Sequence, residues 1–316
     1  MTLDKILQCF SSHLFSRGAS HENQSPSISR PYNTRVLLQT ETDESQPLRD
    51  DQGHSVPKLR HNTGPGLQFM SDLHWERFLD KTTQRYGVPE VPKRASYIVL
   101  AGDIGRFRDH DALQIALQQM CDKFDKVLLV SGNHEFYGSS REEGLLIAEA
   151  MSQNLGDKFI LLNRTRVDLE DVVILGCTLQ SHVPEGACLT NDFAKIKGWT
   201  VADHNAEHRR DLEWLEEALG KVADERCGSR IVIVTHYAPA FEEANHPRLR
   251  QSPCRYCFSS DTLEQFKNWQ GAGQVSHWIF GHTHYNTAFT CGNTVVLSNQ
   301  PNDHDCNRRF DPEATI

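Results

Sequence analysis

From Gly66 onward the chain alternates short apolar runs with segments whose apolar residues recur at helical spacing. "GLQFM" reads as a strand. "SYIVLAGD" reads as a second strand, buried on both faces, since a strand covered on one side only would alternate apolar with polar. "DALQIALQQMCDKF" puts Leu113, Ala116, Leu117, Met120 and Phe124 on one stripe, the mark of an amphipathic helix. "KVLLVSGN" is a third strand. The helix over "SREEGLLIAEAMSQNLG" opens with a capping box, Ser140 and Glu143, and has Gly156 as its natural stop. "FILL", "RVDL" and "VVILGCTL" follow as strands. "DHNAEHRRDLEWLEEALG" is then helical, with Leu212, Leu215 and Leu219 along one face and Gly220 ending it. The late strands are "RIVIVTHY", "SHWIFGHTH" and "NTVVLSN", the last paired with "AFTC" through a turn at Cys291, Gly292 and Asn293. Strands and helices interleave early and strands cluster late, so one α/β domain over residues 66–316 accounts for the pattern.

Residues 1–65 read differently. They are polar and rich in Ser, Pro, Asn, Asp and Gln, and are expected to form a partly disordered extension. At its start Leu3, Ile6, Leu7, Phe10 and Leu14 keep a helical spacing, which suits a short docking helix better than a mitochondrial presequence. No apolar run reaches the roughly 20 residues needed to span a bilayer, so a soluble, cytoplasmic protein is expected. The formal net charge of −9 over 316 residues argues against nucleic-acid binding through the overall field. Nine cysteines, an odd and scattered set, suit reduced thiols. Cys254 and Cys257 form a CxxC, but only His246 lies near as a further ligand, so the pair reads as packed or exposed thiols rather than a zinc site.

The chemistry gathers at strand ends. "SDLH", "AGD", "SGNHE" and "VTH" each close a predicted strand with metal-type ligands, and "IFGHTH" repeats the alternate spacing of Asp72 and His74 with His282 and His284. If the strand pleat continues to these residues, i and i+2 point the same way and converge on one object. In α/β sheets ligands bind beyond the carboxyl ends of strands, where residues remote in sequence meet. Singly, Asp103 and Asn133 are ordinary turn residues. That reading leaves the recurrence of His, Asp and Asn at strand after strand unexplained.

The ordered set "DLH", "GD", "GNHE", "TH" and "GHTH" resembles the five motifs of the calcineurin-like metallophosphoesterase superfamily, over the span from Asp72 to His284. The resemblance implies a four-layer α/β/β/α sandwich of two mixed sheets flanked by helices. It also implies a dinuclear centre of two transition-metal ions drawn from Mn, Fe, Zn or Ni. One ion would take Asp72, His74, Asp103 and His284, the other Asp103, Asn133, His236 and His282, with Asp103 bridging. A bridging hydroxide would attack a phosphodiester or small phosphomonoester in line, and His134, beside the ions, would protonate the leaving oxygen or stabilise charge on the phosphoryl group, with an orienting hydrogen bond to Asp72 or Asp103 as its plainer role. The sequence "GDIGRFRDH" lacks the Asp-Arg-Gly that the protein Ser/Thr phosphatases carry here, which points to a small phosphorylated substrate and away from that branch. Arg106 and Arg108 are candidate phosphate clamps, with solvated loop arginines the equal alternative. His204 and His208, at i and i+4 without the Glu of a zinc-protease motif, are expected at the surface, His204 being also a candidate substrate contact. A non-catalytic scaffold of the same fold is the other reading. The complete ligand set favours the enzyme.

Overall fold

The structure is a computed structural model that describes residues 66–170, 172–226, 228–301 and 310–316. The expected N-terminal extension and its docking helix lie outside these residues. The first sheet holds β1 (Leu67–Met70), β4 (Tyr97–Ala101), β5 (Lys126–Val130) and β6 (Phe159–Leu161), in that order and all parallel. Parallel neighbours need crossovers, and α1 (His110–Lys123) and α2 (Arg141–Leu155) supply two of them. A small antiparallel pair, β2 (Leu79–Asp80) and β3 (Arg85–Tyr86), stands apart. On the free edge of β1, Leu67 and Ile316 exchange backbone hydrogen bonds of 3.3 and 3.0 Å, so the C-terminus borders this sheet antiparallel.

The second sheet is mixed. It contains β7 (Thr165–Asp168), β8 (Val172–Cys177), β9 (Arg230–Thr235), β10 (Val275–Phe280), β11 (Ala288–Cys291) and β12 (Thr294–Ser298) in the order β11-β12-β10-β9-β8-β7. The outer strands β7 and β11 run antiparallel to their neighbours. The expected hairpin is present: Cys291 pairs with Thr294 across a turn in which Gly292 has φ 59°.

Alternate residues of the apolar strands divide between separate cores, as burial on both faces requires. In β4, Ile98 and Leu100 pack with Leu113, Leu117 and Met120 of α1, whereas Val99 and Ala101 pack with Val232 and Val234 of β9. In β9, Ile231 and Ile233 join Leu215, Leu219 and Val222 of α4 (Val201–Glu225). One core between the sheets and one beneath each helical layer make the α/β/β/α sandwich.

The capping box at Ser140 is formed, and Gly156 caps α2 with φ 69°. Gly220, in contrast, does not end its helix. The stripe of Leu215, Leu219 and Val222 continues past it, α4 runs on to Glu225, and burial of that extra turn outweighs the roughly 1 kcal/mol that a helical glycine costs. The same helix corrects the surface placement of its histidines, because His204 and His208 are 1% and 5% exposed. His204 Nε2 accepts from the backbone of Ser181 at 3.2 Å, and His208 Nδ1 meets the Leu179 carbonyl at 2.9 Å.

Candidate metal centre

β1 ends at Met70, so Asp72 and His74 do not owe their convergence to a strand pleat. Both have left-handed backbone, φ 56° and 47°, and so do Asp103 at 55°, His282 at 69° and His284 at 49°. Such conformations cost on the order of 1–3 kcal/mol each and persist where the surroundings impose them. Three glycines permit the close approach. A Cβ on Gly132 would lie 2.3 Å from Asp103 Oδ1, on Gly102 2.3 Å from His236 Nδ1, and on Gly281 2.6 Å from Asp72 Oδ2.

These loops bring the histidines and acids into adjoining groups, two around Asp72 and Asp103 and a third, of His74, Glu76 and His134, that shares His74 with the first. In the first, ligand atoms of Asp72, His74 and His284 lie within 4.8 Å of one another, and in the second those of Asp103, His236 and His282 do. His284 Nε2 is 3.2 Å from both Asp72 Oδ1 and His74 Nε2. Asp103 stands between the groups, its Oδ2 3.9 Å from His74 Nε2 and its Oδ1 3.4 Å from His236 Nε2. Asn133 Oδ1 is 3.0 Å from the same His236 nitrogen.

The hydrogen bonds behind these atoms fix which lone pairs face inward. His236 Nδ1 lies 2.9 Å from the Ala101 carbonyl, which can only accept, so Nδ1 carries the proton. Burial pushes the ring down to about 4, leaving Nε2 an unprotonated acceptor at neutral pH. It faces Asp103 Oδ1 and Asn133 Oδ1. The Asn133 oxygen is itself an acceptor, because Nδ2 is engaged by Asp192 Oδ1 at 2.8 Å and the Tyr137 hydroxyl at 3.0 Å. Likewise His282 Nε2 meets the Cys257 carbonyl at 3.0 Å, which turns Nδ1 toward the centre, and burial pushes that ring down to about 3. Acceptors therefore face acceptors. Burial and the nearby charges of Glu135 and Asp72 push Asp103 well above the usual carboxylate range, the response expected where negative charge lacks a counter-ion. At Asp72 burial acts the same way, but the hydrogen bond and charge of His284 prevail and hold its carboxyl well below that range. A cation resolves both conflicts, and carboxylate, imidazole and amide oxygen suit Mn, Fe, Zn or Ni.

A family model, calcineurin-like phosphoesterase, matches residues 68–286, a span that contains every one of these ligand candidates. The chain belongs to the calcineurin-like phosphoesterase family. It is accordingly a metal-dependent phosphoester hydrolase, and the sandwich described above is the fold of that family. This phosphoesterase is 26% identical over 274 residues to an uncharacterised protein of Acanthamoeba polyphaga mimivirus, a match covering 79% of the chain and 95% of the relative. In fold it is similar to the phosphopantetheinyl hydrolase of Mycobacterium tuberculosis, with TM-score 0.54, 15% identity, and 79% and 92% of the two chains covered.

Several residues that support the centre of the phosphoesterase escaped the sequence reading. Glu76 Oε1 accepts from His134 Nδ1 at 2.9 Å and from His74 Nδ1 at 3.2 Å, joining a ligand candidate to the candidate acid. Glu135, fully buried, accepts four backbone N–H groups, those of Asp103, Ile104, Gly105 and Gly132, at 2.7 to 3.2 Å. It thereby ties the "GD" loop to the "GNHE" loop. Asp192 orients Asn133. His134 borders Asp103, its backbone N–H donating to Asp103 Oδ1 at 2.9 Å and its Nε2 3.9 Å from Oδ2. The side chain is 23% exposed, more open than His74 or His236.

Arg106 and Arg108 lie on the loop that follows Asp103. Asp109 takes Arg106 through Nε at 2.7 Å and lies 3.9 Å from Arg108 Nε, and Arg108 also packs over Gly138. Arg141 lines a small cleft with Asn133, Phe136, Gln180, Ile196 and Trp199, and its Nη2 lies 3.3 Å from Glu207 Oε2. His204 lies behind this region, against Phe193, Trp199 and Tyr237 at ring distances of 5.5 to 6.1 Å. Among the described residues no helix is long and apolar enough to cross a membrane.

Proposed function

We propose that this phosphoesterase is a dinuclear enzyme hydrolysing a phosphodiester or small phosphomonoester. Asp72, His74, Asp103 and His284 would hold one ion and Asp103, Asn133, His236 and His282 the other. The observation that carries the reading is the meeting of unprotonated His236 Nε2 with two acceptor oxygens, of Asp103 and Asn133, at 3.4 and 3.0 Å. When bound, such a pair of ions supplies Lewis acidity, neutralising phosphoryl charge and acidifying a water.

The chain's own residues do the rest. Asp103 keeps the two ligand groups in register, and Glu135 fixes its backbone. Glu76 holds the Nδ1 proton of His134, so Nε2 is the nitrogen turned toward Asp103 and available to hold a proton for the leaving oxygen. At His134 burial outweighs the hydrogen bond and charge of Glu76 and holds the proton affinity of the ring below that of an ordinary imidazole. Arg106 and Arg108, on the loop that follows Asp103 and with side chains 29% and 54% exposed, remain the candidate phosphate contacts. The six cysteines described as free thiols suit the cytoplasm, which is the compartment we propose. A panel of chromogenic phosphodiesters and monoesters, with and without added Mn and after chelation, tests the function. Metal-dependent turnover on at least one ester class is expected, and none on either class with metal bound contradicts it.

A further inference from the structure

Asp192 opens the short helix α3 (Asp192–Lys195) and is buried. Its Oδ1 accepts from Asn133 Nδ2 at 2.8 Å and from the Tyr137 hydroxyl at 2.6 Å. Its Oδ2 accepts from Thr190 Oγ1 at 3.0 Å and from the Tyr237 hydroxyl at 3.4 Å. Asn133 Nδ2 also donates to the Tyr137 hydroxyl at 3.0 Å, so Asn133, Tyr137 and Asp192 close a triangle. We propose that Asp192 is a positioning residue that selects which end of the Asn133 amide faces the centre, and so sets the affinity for the ion of Asp103, Asn133, His236 and His282. The inference rests on the dinuclear reading.

A side-chain amide has a donor end and an acceptor end, exchanged by a half-turn about one bond. In the arrangement found, Asn133 Oδ1 meets the acceptor His236 Nε2 at 3.0 Å. A half-turn would give that nitrogen a donor instead, a hydrogen bond that the observed arrangement forgoes. Seen from His236 alone, the turned amide is the better partner, and it would offer an ion no oxygen. Tyr137 does not choose between the two states, because a hydroxyl both donates and accepts. A carboxylate only accepts. The turned amide would set its oxygen against Asp192 Oδ1, which now lies 2.8 Å from Nδ2, and acceptor against acceptor at that distance excludes it.

The same carboxylate anchors two rings beside the centre. That of Tyr137 lies 4.2 Å from the ring of His134, and that of Tyr237 lies 4.2 Å from the ring of His282. The ligand candidates of the other ion are held elsewhere. Glu76 accepts from His74 at 3.2 Å, and Gln300 Oε1 accepts from the His284 backbone at 2.7 Å. Loss of the selector should therefore weaken one ion and spare the other.

The test uses the full chain and needs no substrate. Asp192→Asn keeps the size of the side chain, but the new amide can itself turn to meet either end of Asn133, so selection is lost while packing stays. A double variant, Asn133→Asp with Asp192→Asn, keeps the net charge and presents an oxygen to the ion in either orientation. Retention of each Mn against a chelator is measured for wild type and both variants, with circular dichroism to confirm folding. NOEs from the Asn133 side-chain amide protons are recorded by NMR on metal-free wild type and Asp192→Asn. Expected in Asp192→Asn are a roughly tenfold or greater weakening of one ion, with the other unchanged, and recovery of the weakened ion in the double variant. The amide NOEs should run to the Tyr137 ring in wild type and to the His236 ring in Asp192→Asn. Two ions held by Asp192→Asn within twofold of wild type, equal weakening of both ions as lost charge alone would give, no recovery in the double variant, or unmoved NOEs overturn the proposal. If wild type holds no more than one ion, the dinuclear reading fails at that point, and the NOEs alone decide whether Asp192 selects the amide end.

Discussion

Replacing Glu76 with Gln keeps the side chain's size and removes the charge that joins the two halves of the site. Glu76 is 8% exposed and accepts from His134 and His74 through one oxygen, Oε1, while Oε2 is buried with no partner among the described residues. Burial favours its protonation, but the two histidine bonds prevail and hold the carboxyl well below its ordinary range, so it acts as an anion at neutral pH. Hydrogen bonds to a charged group contribute about 1.5–3 kcal/mol against about 0.5–1.5 for neutral pairs, so each bond loses about 1 kcal/mol in Glu76→Gln. Both bonds together come to about 2 kcal/mol, roughly a 30-fold loss in kcat/KM. The assay is kcat/KM on a chromogenic phosphodiester at saturating Mn, with metal affinity by chelator competition and unfolding by urea. Loss through His134 shows as lowered kcat, and loss through His74 as weaker metal binding. A Glu76→Gln enzyme within twofold of wild type in both refutes the coupling.

His134→Asn should retain its metal and lose more kcat/KM on an alkyl phosphodiester than on an aryl one, because only the basic alkoxide needs the proton; equal losses on both esters would remove the general-acid role. Gly132→Ala drives a Cβ to within 2.3 Å of Asp103 Oδ1 and 2.7 Å of His236 Cε1. It should fold with a loss of about 1–3 kcal/mol and bind metal poorly, and normal metal content with wild-type turnover would show that the crowding at Asp103 is immaterial.

What was legible in the sequence follows from distance along the chain. The strands are apolar runs bounded by turn residues, and the ligand motifs sit at their ends, so local pattern located both. The capping box at Ser140 and the hairpin at Gly292 are local in the same sense. Glu76 was not legible as a partner of His134, 58 residues away, because nothing in "HWERF" distinguishes a buried acid from a solvated one. Asp192 meets Asn133 across 59 residues for the same reason. Gly220 does not stop α4 because the apolar stripe on the helix's other face continues past it, and His204 and His208 are buried because they lie on that stripe's own face. The convergence of Asp72 and His74 was anticipated for the wrong cause: left-handed backbone achieves it, a conformation that sequence rarely announces outside glycine.

The central claim is that Asp103 joins two cation sites. Metal content of the folded protein, measured by plasma mass spectrometry for wild type and Asp103→Ala after loading with Mn and removal of free ion, tests it most directly. Circular dichroism of the same samples confirms that the variant is folded. Asp103 lies 3.9 Å from His74 Nε2 on one side and 3.4 Å from His236 Nε2 on the other, so its removal should empty both sites. About two ions per wild-type chain and fewer than one in the variant are expected. Two ions retained by Asp103→Ala, or no more than one in wild type under saturating Mn, would contradict it.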